Sequence, residues 1–338
     1  MAEHSAITDE MRKTIGTRLP DFSPEVADIW GILRYAAATE DPNPLWRDEE
    51  CAKQSRWEGI IAPPTFVEVF CPANRSTREQ GVGVLPDLPF KPPFERRQAA
   101  GEDMKFFAPI RPGDTISCVG TLGDIWEKQS SSGKKMVFAR VDKEYHKQEN
   151  ELIAQTSYTS MFMEAGPSAS STPLASADPR PPAPEKVVTP ATVNSTQVYF
   201  EDVEVGDSIP PMEKHVIMTT IAQWAGATGA VHYLHFDYEL VRNVYGLPNV
   251  LAHGTLNTAY LAQLITNWIG SWGALKKHSV QYKGNIFPGD IVTFNGKVSS
   301  KYILQDEKFV ECETWAENQN AVKVTLGKSV VTLPARGN

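Results

Sequence analysis

From residue 104 the first half of the chain alternates apolar and polar side chains in short runs: MKFFAPI, TISCVGTL, KMVFARVDKEY and ELIAQTSYTSMFM. That alternation, with its β-branched content, predicts antiparallel strands with one buried face. Helical spacing appears elsewhere. Val26, Ile29, Trp30, Leu33 and Ala37 follow Ser23-Pro24-Glu25, which reads as an N-cap with proline at the first helical position. GIIAPPTFVEVF predicts a strand-end turn entering a second helix, and residues 72–100, rich in Pro, Gly and charge, read as a long loop. Thr220-Ile221-Ala222-Gln223 has the pattern of a capping box opening a short helix. The strongest periodicity belongs to Leu256, Tyr260, Leu261, Leu264, Ile265, Trp268 and Ile269. These predict a helix entered through Ala252-His253-Gly254-Thr255.

Between the halves the composition collapses to Ala, Pro and Ser, too little apolar surface to offset the entropy of packing, which predicts a linker over 165–194. The chain divides into 1–164 and 195–338 around it. The second half repeats the first: WAGATGAVHYLHFD lies over AAATEDPNPLWRD, VLAHGTL over IIAPPTF, and FPGDIVTF over RPGDTISC. Asn43 and His232 are 189 positions apart, Thr65 and Thr255 190, Gly113 and Gly289 176. The drop places the extra residues of the first half in its 72–100 loop, where an insertion is tolerated. Two copies of one α+β unit, each a long helix wrapped by an antiparallel sheet, are expected to form an intramolecular pseudo-dimer.

At 338 residues with 41% hydrophobic content, the chain can bury two cores of ordinary size. A net charge of −8 argues against nucleic acid or an anionic membrane as partner. Cys51, Cys71, Cys118 and Cys312 show no paired spacing, so neither a zinc site nor a disulfide framework is expected. No apolar run is long enough to span a bilayer, and a cytoplasmic protein is the expectation.

Candidate chemistry concentrates in 224–256. His232 and His235 are three apart, Asp237 follows, and His253-Gly254 sits at the mouth of the long helix, whose free N–H groups and positive dipole end suit a developing oxyanion. An imidazole can serve as base or acid near neutral pH. The plainer readings are a backbone-bonded loop histidine for His232, close packing at a helix start for Gly254, and a buttress for His253. In the first half Asp41 before Pro42 is as readily a turn residue, and Trp46 fills core or walls an acyl group.

At these residues the chain resembles the MaoC-like hot-dog superfamily, which includes (R)-specific enoyl-CoA hydratases and 3-hydroxyacyl dehydratases. Both halves are covered, so the resemblance implies a double hot-dog fold. The family signature is roughly S/T-G-D-x-N-P-L-H-x-D, then an apolar-His-Gly step. Its aspartate and histidine hold the water, and its glycine N–H binds the thioester oxygen. In the first half Asp41, Asn43, Pro44, Leu45 and Asp48 match, but Trp46 replaces the histidine and Pro63-Pro64 the His-Gly step. In the second half Thr228, Gly229, Leu234, His235, Asp237, His253 and Gly254 match, while Ala230 replaces the aspartate and His232 the asparagine.

The resemblance implies an acyl-CoA hydratase or dehydratase working in the second half. His235, His232 and Gly254 are the catalytic candidates, and His253, Asp237, Asp41, Asn43 and Trp46 the substrate-binding ones. Coenzyme A would arrive as part of the substrate, with no metal or separate cofactor, and a homodimer is a family-level expectation. Arg96, Arg97, Lys105, Lys276, Lys277 and Lys283 are available for its phosphates. Two alternatives stay open: a thioesterase or isomerase keeping the thioester grip, and a non-catalytic subunit completing a partner hydratase.

Overall fold

The computed structural model describes residues 5–20, 23–70, 88–130, 133–164 and 196–337. The expected linker and Cys71 lie outside them. The first half carries α1 (Asp9–Lys13), β1 (Glu25–Val26), α2 (Ile29–Ala38), α3 (Glu49–Lys53), β2 (Arg96–Phe106), β3 (Thr115–Gln129), β4 (Lys135–Lys147) and β5 (Glu151–Met163). The second carries β6 (Ser208–His215), α4 (Met218–Thr228), α5 (Tyr238–Leu240), α6 (Gly254–Ile269), β7 (Ala274–Tyr282), β8 (Ile291–Leu304), β9 (Glu307–Asn318) and β10 (Lys323–Thr332).

The strands form one sheet in the order β1-β3-β4-β5-β2-β7-β10-β9-β8-β6, a palindrome when each strand is matched to its repeat. Its centre is the antiparallel join of β2 to β7, running from Gly101↔Gln281 to Lys105↔Lys277 about Asp103↔Ser279. Those two residues are 176 apart, the same offset as the RPGD and FPGD turns. A side chain at Gly101 would strike the Val280 carbonyl, so glycine allows the two backbones to meet there.

Loop hydrogen bonds repeat as well. Ala62 N donates to Ile110 O at 2.8 Å, and Ala252 N to Ile286 O at 2.8 Å. The Asp114 carboxylate accepts from Arg111 N at 2.8 Å, and that of Asp290 from Phe287 N at 2.8 Å, so both PGD turns close alike. An α+β double hot-dog is what the sequence predicts and what forms.

The two central helices differ. Leu256 through Ile269 of α6 are all buried, as suits a helix enclosed by its own sheet and by the first-half turn around Glu40 and Asn43. Its repeat begins as a 3₁₀ segment, Pro64–Phe70, in which Phe66 N donates to Pro63 O at 2.9 Å. Pro63 and Pro64 lack the N–H groups of a regular first turn, and the long first-half helix expected from the repeat is absent from the described residues. The first strand also starts earlier than expected, at Arg96 inside the anticipated loop.

Two predicted helix starts shift. Glu25–Val26 pairs with β3, and Asp28 caps α2 by accepting from Gly31 N at 2.9 Å. The buried face of α2 is Ile32, Tyr35 and Ala36, because it packs on α4 with Tyr35 and Trp224 ring centroids 5.0 Å apart. Trp30, expected inside, is 68% exposed. In α4 the N-cap is Ile217, so Thr220 lies within the helix, buried, rather than at a capping box.

Candidate active site

A cavity of about 190 Å³ opens at the start of α6. His232, His235, His253 and Gly254 line it from the second half, Arg97 and Tyr158 from the first, and among the described residues no Asp or Glu lines it. Gly229, in the left-handed region at φ +70°, ends α4 and releases the chain into a 3₁₀ turn, Tyr233–His235. Leu234 N donates to His232 Nδ1 at 3.1 Å, so His232 is the tautomer with its proton on Nε2. His235 Nδ1 lies 2.7 Å from the Leu251 carbonyl, which can only accept, so its proton is on Nδ1 and its Nε2 lone pair is free to accept. The ring centroids of His232 and His235 are 6.0 Å apart.

His253 donates from Nε2 to the Ala230 carbonyl at 2.7 Å and stacks on His235 with centroids 3.5 Å apart. Its Nδ1 is buried without a partner among the described residues. Burial pushes His235 down to about 4 and His232 down to about 3, with further lowering of His232 by His235 and Arg97; His253 is held well below the usual range by burial. The three rings are therefore neutral at pH 7.

Gly254 is the first residue of α6, and its N-cap, His253, makes no side-chain bond to the first turn. Gly254, Thr255 and Asn257 all line the cavity, leaving that turn's N–H groups for a ligand. A Cβ at Gly254 would come within 2.9 Å of the Tyr282 ring, so glycine lets that ring pack against the start of α6. Arg97 bonds Ser160 through Nε at 3.3 Å, and burial pushes it down to about 10. Of the six cations considered for coenzyme A, Arg97 and Lys283 line the cavity; Arg96 instead donates to the Tyr245 carbonyl and Lys276 pairs with Glu307.

The remaining candidates lie elsewhere. Asp237 caps α5 by accepting from Leu240 N at 2.9 Å and is not part of the cavity wall. Asp41, Asn43 and Trp46 are buried around their own turn, where Asp41 accepts from Trp46 Nε1 at 2.8 Å and Asn43 N at 3.0 Å. Asn43 reaches Asn267, thirteen residues along α6 from Gly254, which is about 20 Å at the helical rise. Asp41, Asn43 and Trp46 are thus not among the residues lining the His235 cavity. Burial raises the Asp41 carboxyl above its usual range.

With this geometry, comparison with known proteins is informative. Residues 200–320 match the family model for the MaoC-like domain, and residues 14–156 that for the FAS1-like dehydratase domain region. A solved MaoC-like dehydratase superposes with TM-score 0.71 at 19% identity, covering 96% of this chain and 99% of that one. A Mycobacterium tuberculosis protein described as having a double hot-dog fold superposes with TM-score 0.62 at 10% identity, covering 96% and 97%. The second half therefore carries a MaoC-like domain and the first a FAS1-like dehydratase region, on a double hot-dog fold. A UPF0336 protein of Thermobifida fusca is 33% identical over 31% of this chain and 64% of its own length.

For a MaoC-like protein, the departures observed here are the Ala230 position and the participation of the first half. Tyr158 and Tyr282 carry no motif of their own, because β5 and β7 bring them to the cavity through long-range pairing. One signal exists in the repeat. Tyr282 stands 176 after Phe106, so its hydroxyl is the atom with no first-half counterpart. Among the described residues no group of three or more His, Cys, Asp or Glu could hold a metal, and no helix is long and apolar enough to cross a membrane.

Proposed function

We propose that the second-half cavity adds water to, or removes it from, the 2,3 double bond of an enoyl-CoA, with His235, His232 and Gly254 performing the step. The observation that carries this reading is the opposed tautomers of His232 and His235 on one cavity wall. A single water can donate to His235 Nε2 and accept from His232 Nε2–H, the task usually shared with an aspartate. Its oxygen attacks the 3-carbon as His235 Nε2 takes the proton. Charge moves to the thioester oxygen, where the Gly254 N–H and the α6 dipole stabilise it. His235 then returns the proton to the 2-carbon. Atoms and charge balance with no second base, and His232 stays neutral throughout.

Arg97 and Lys283 suit the anionic coenzyme at the cavity wall. The test is turnover of a short, a long and a ring-bearing enoyl-CoA, followed by loss of conjugated-thioester absorbance and by product mass. A product heavier by one water, missing with His235→Ala, is expected. Free thiol released together with the unhydrated enoic acid would instead indicate a thioesterase.

A further inference from the structure

Behind Gly254, three oxygens from three elements form a closed triangle. Glu102 Oε2 on β2 lies 2.6 Å from Thr258 Oγ1 on α6 and 2.8 Å from the Tyr282 hydroxyl on β7, and those two hydroxyls lie 2.6 Å apart. Each hydroxyl carries one proton. With an ionised carboxylate, two protons serve three edges, and one pair of oxygens stays in close contact with nothing between them. A proton on Oε2 gives each oxygen one bond donated and one accepted, and all three edges close. The other oxygen, Glu102 Oε1, is buried without a partner among the described residues. An isolated carbonyl oxygen costs far less there than half of a carboxylate.

We propose that Glu102 is held as a neutral carboxylic acid and, through this three-proton ring, is the positioning residue that keeps Tyr282 beneath Gly254 and the first turn of α6 in register with it. The surroundings favour the neutral form. Glu102 is 3% exposed, and burial first, then the Glu68 carboxylate, raises it to about 7. Lys143 opposes this weakly because its ammonium is engaged with Glu68 at 2.9 Å. Tyr158 on β5 and Tyr282 are both raised by burial, and His278 on β7, which donates to the Thr258 carbonyl at 3.1 Å, is pushed down to about 4. Those three are uncharged near neutral pH, leaving Glu68 and Lys143 as the charges facing the ring. Loss of the Glu102 proton opens one edge, frees Tyr282 to move, and loosens the turn that offers its N–H to the thioester oxygen.

This role rests on the hydration reading, but the proton itself can be observed without turnover. The infrared carbonyl band of a protonated carboxylic acid is expected in the intact protein at pH 6, lost by pH 8.5, absent in Glu102→Gln and displaced in Tyr282→Phe. No such band at pH 6, or one that Glu102→Gln leaves in place, overturns the ring even if enoyl-CoA is hydrated normally. The band without any hydration leaves the ring standing and removes the functional reading. With hydration, kcat falls about tenfold per pH unit on the alkaline side, KM changes little, and Glu102→Gln abolishes that limb. An alkaline limb retained in a folded Glu102→Gln protein overturns the positioning role.

Discussion

Asn43 and His232 perform the same local task. Each accepts a hydrogen bond from the backbone two residues on, Leu45 N at 3.1 Å and Leu234 N at 3.1 Å, and so closes the same 3₁₀ turn. Asp48 and Asp237 then cap the next short helix alike. The halves part at the following positions. Where the second half has His235, bonded to the Leu251 carbonyl, the first has Trp46, bonded to Asp41. A smaller cavity of about 110 Å³ opens at the repeat of the one beside His235, lined by Ala62, Pro63, Pro64, Val67, Phe106 and Ile110 where the other has Ala252, His253, Gly254, Asn257, Tyr282 and Ile286. One backbone plan thus supports a polar site and an apolar one. The plan alone confers no chemistry, and the carboxylate retained at position 41 serves its own fold.

The sharpest break of this contrast is His235→Ala, expected to lower kcat on an enoyl-CoA by roughly 10²- to 10⁴-fold in steady-state assay. Gly254→Pro copies the first half and removes the N–H, with an expected loss of roughly 10²- to 10³-fold in kcat. Circular dichroism checks that the fold survives the nearby Tyr282 ring. The missing carboxylate should appear in the pH profile. His235 accepts a proton only while neutral, and burial holds it at about 4, so kcat/KM should stay level from pH 6 to 5 and fall near 4. Ala230→Asp supplies a charge that favours the imidazolium, and the acid limb should then rise by about one pH unit or more.

Asp41→Ala should do the reverse of His235→Ala. It strands the Trp46 and Asn43 donors and lowers stability by roughly 2–4 kcal/mol in urea unfolding, with kcat within about twofold while folded. The smallest effect is on melting. A carboxyl at about 7 in the folded chain and about 4.3 in the unfolded one contributes stability fully present below 4.3 and lost as pH rises through 7. Wild type should therefore lose a few degrees between pH 5 and 8 that Glu102→Gln does not.

The repeat made most of the architecture legible, because the PGD turns and the capped turns recur at matched spacing and fold alike. The covered face of α2 was not legible: apolar spacing says a helix exists, but contact with α4 decides that Tyr35 is inside and Trp30 outside. His232, His235 and Gly254 could be found because one short stretch supplies them. Tyr158 and Glu102 could not, since strand pairing alone brings them to the cavity wall and to the ring behind it. Asp41 matches the signature, yet its hydrogen bonds go to its own turn, which spacing alone does not reveal.

The join of β2 to β7 has a genetic consequence. A strand edge that accepts its own repeat in antiparallel register also suits a copy of itself, and two separately made halves would assort into like pairs as well as mixed ones. Like pairs would have either no histidine and glycine, or no Glu102 to close the ring. Carrying both halves on one chain ensures equal dosage and places the right partner at hand, so each half is free to drift in a direction that would be lethal to it as a self-pairing protein.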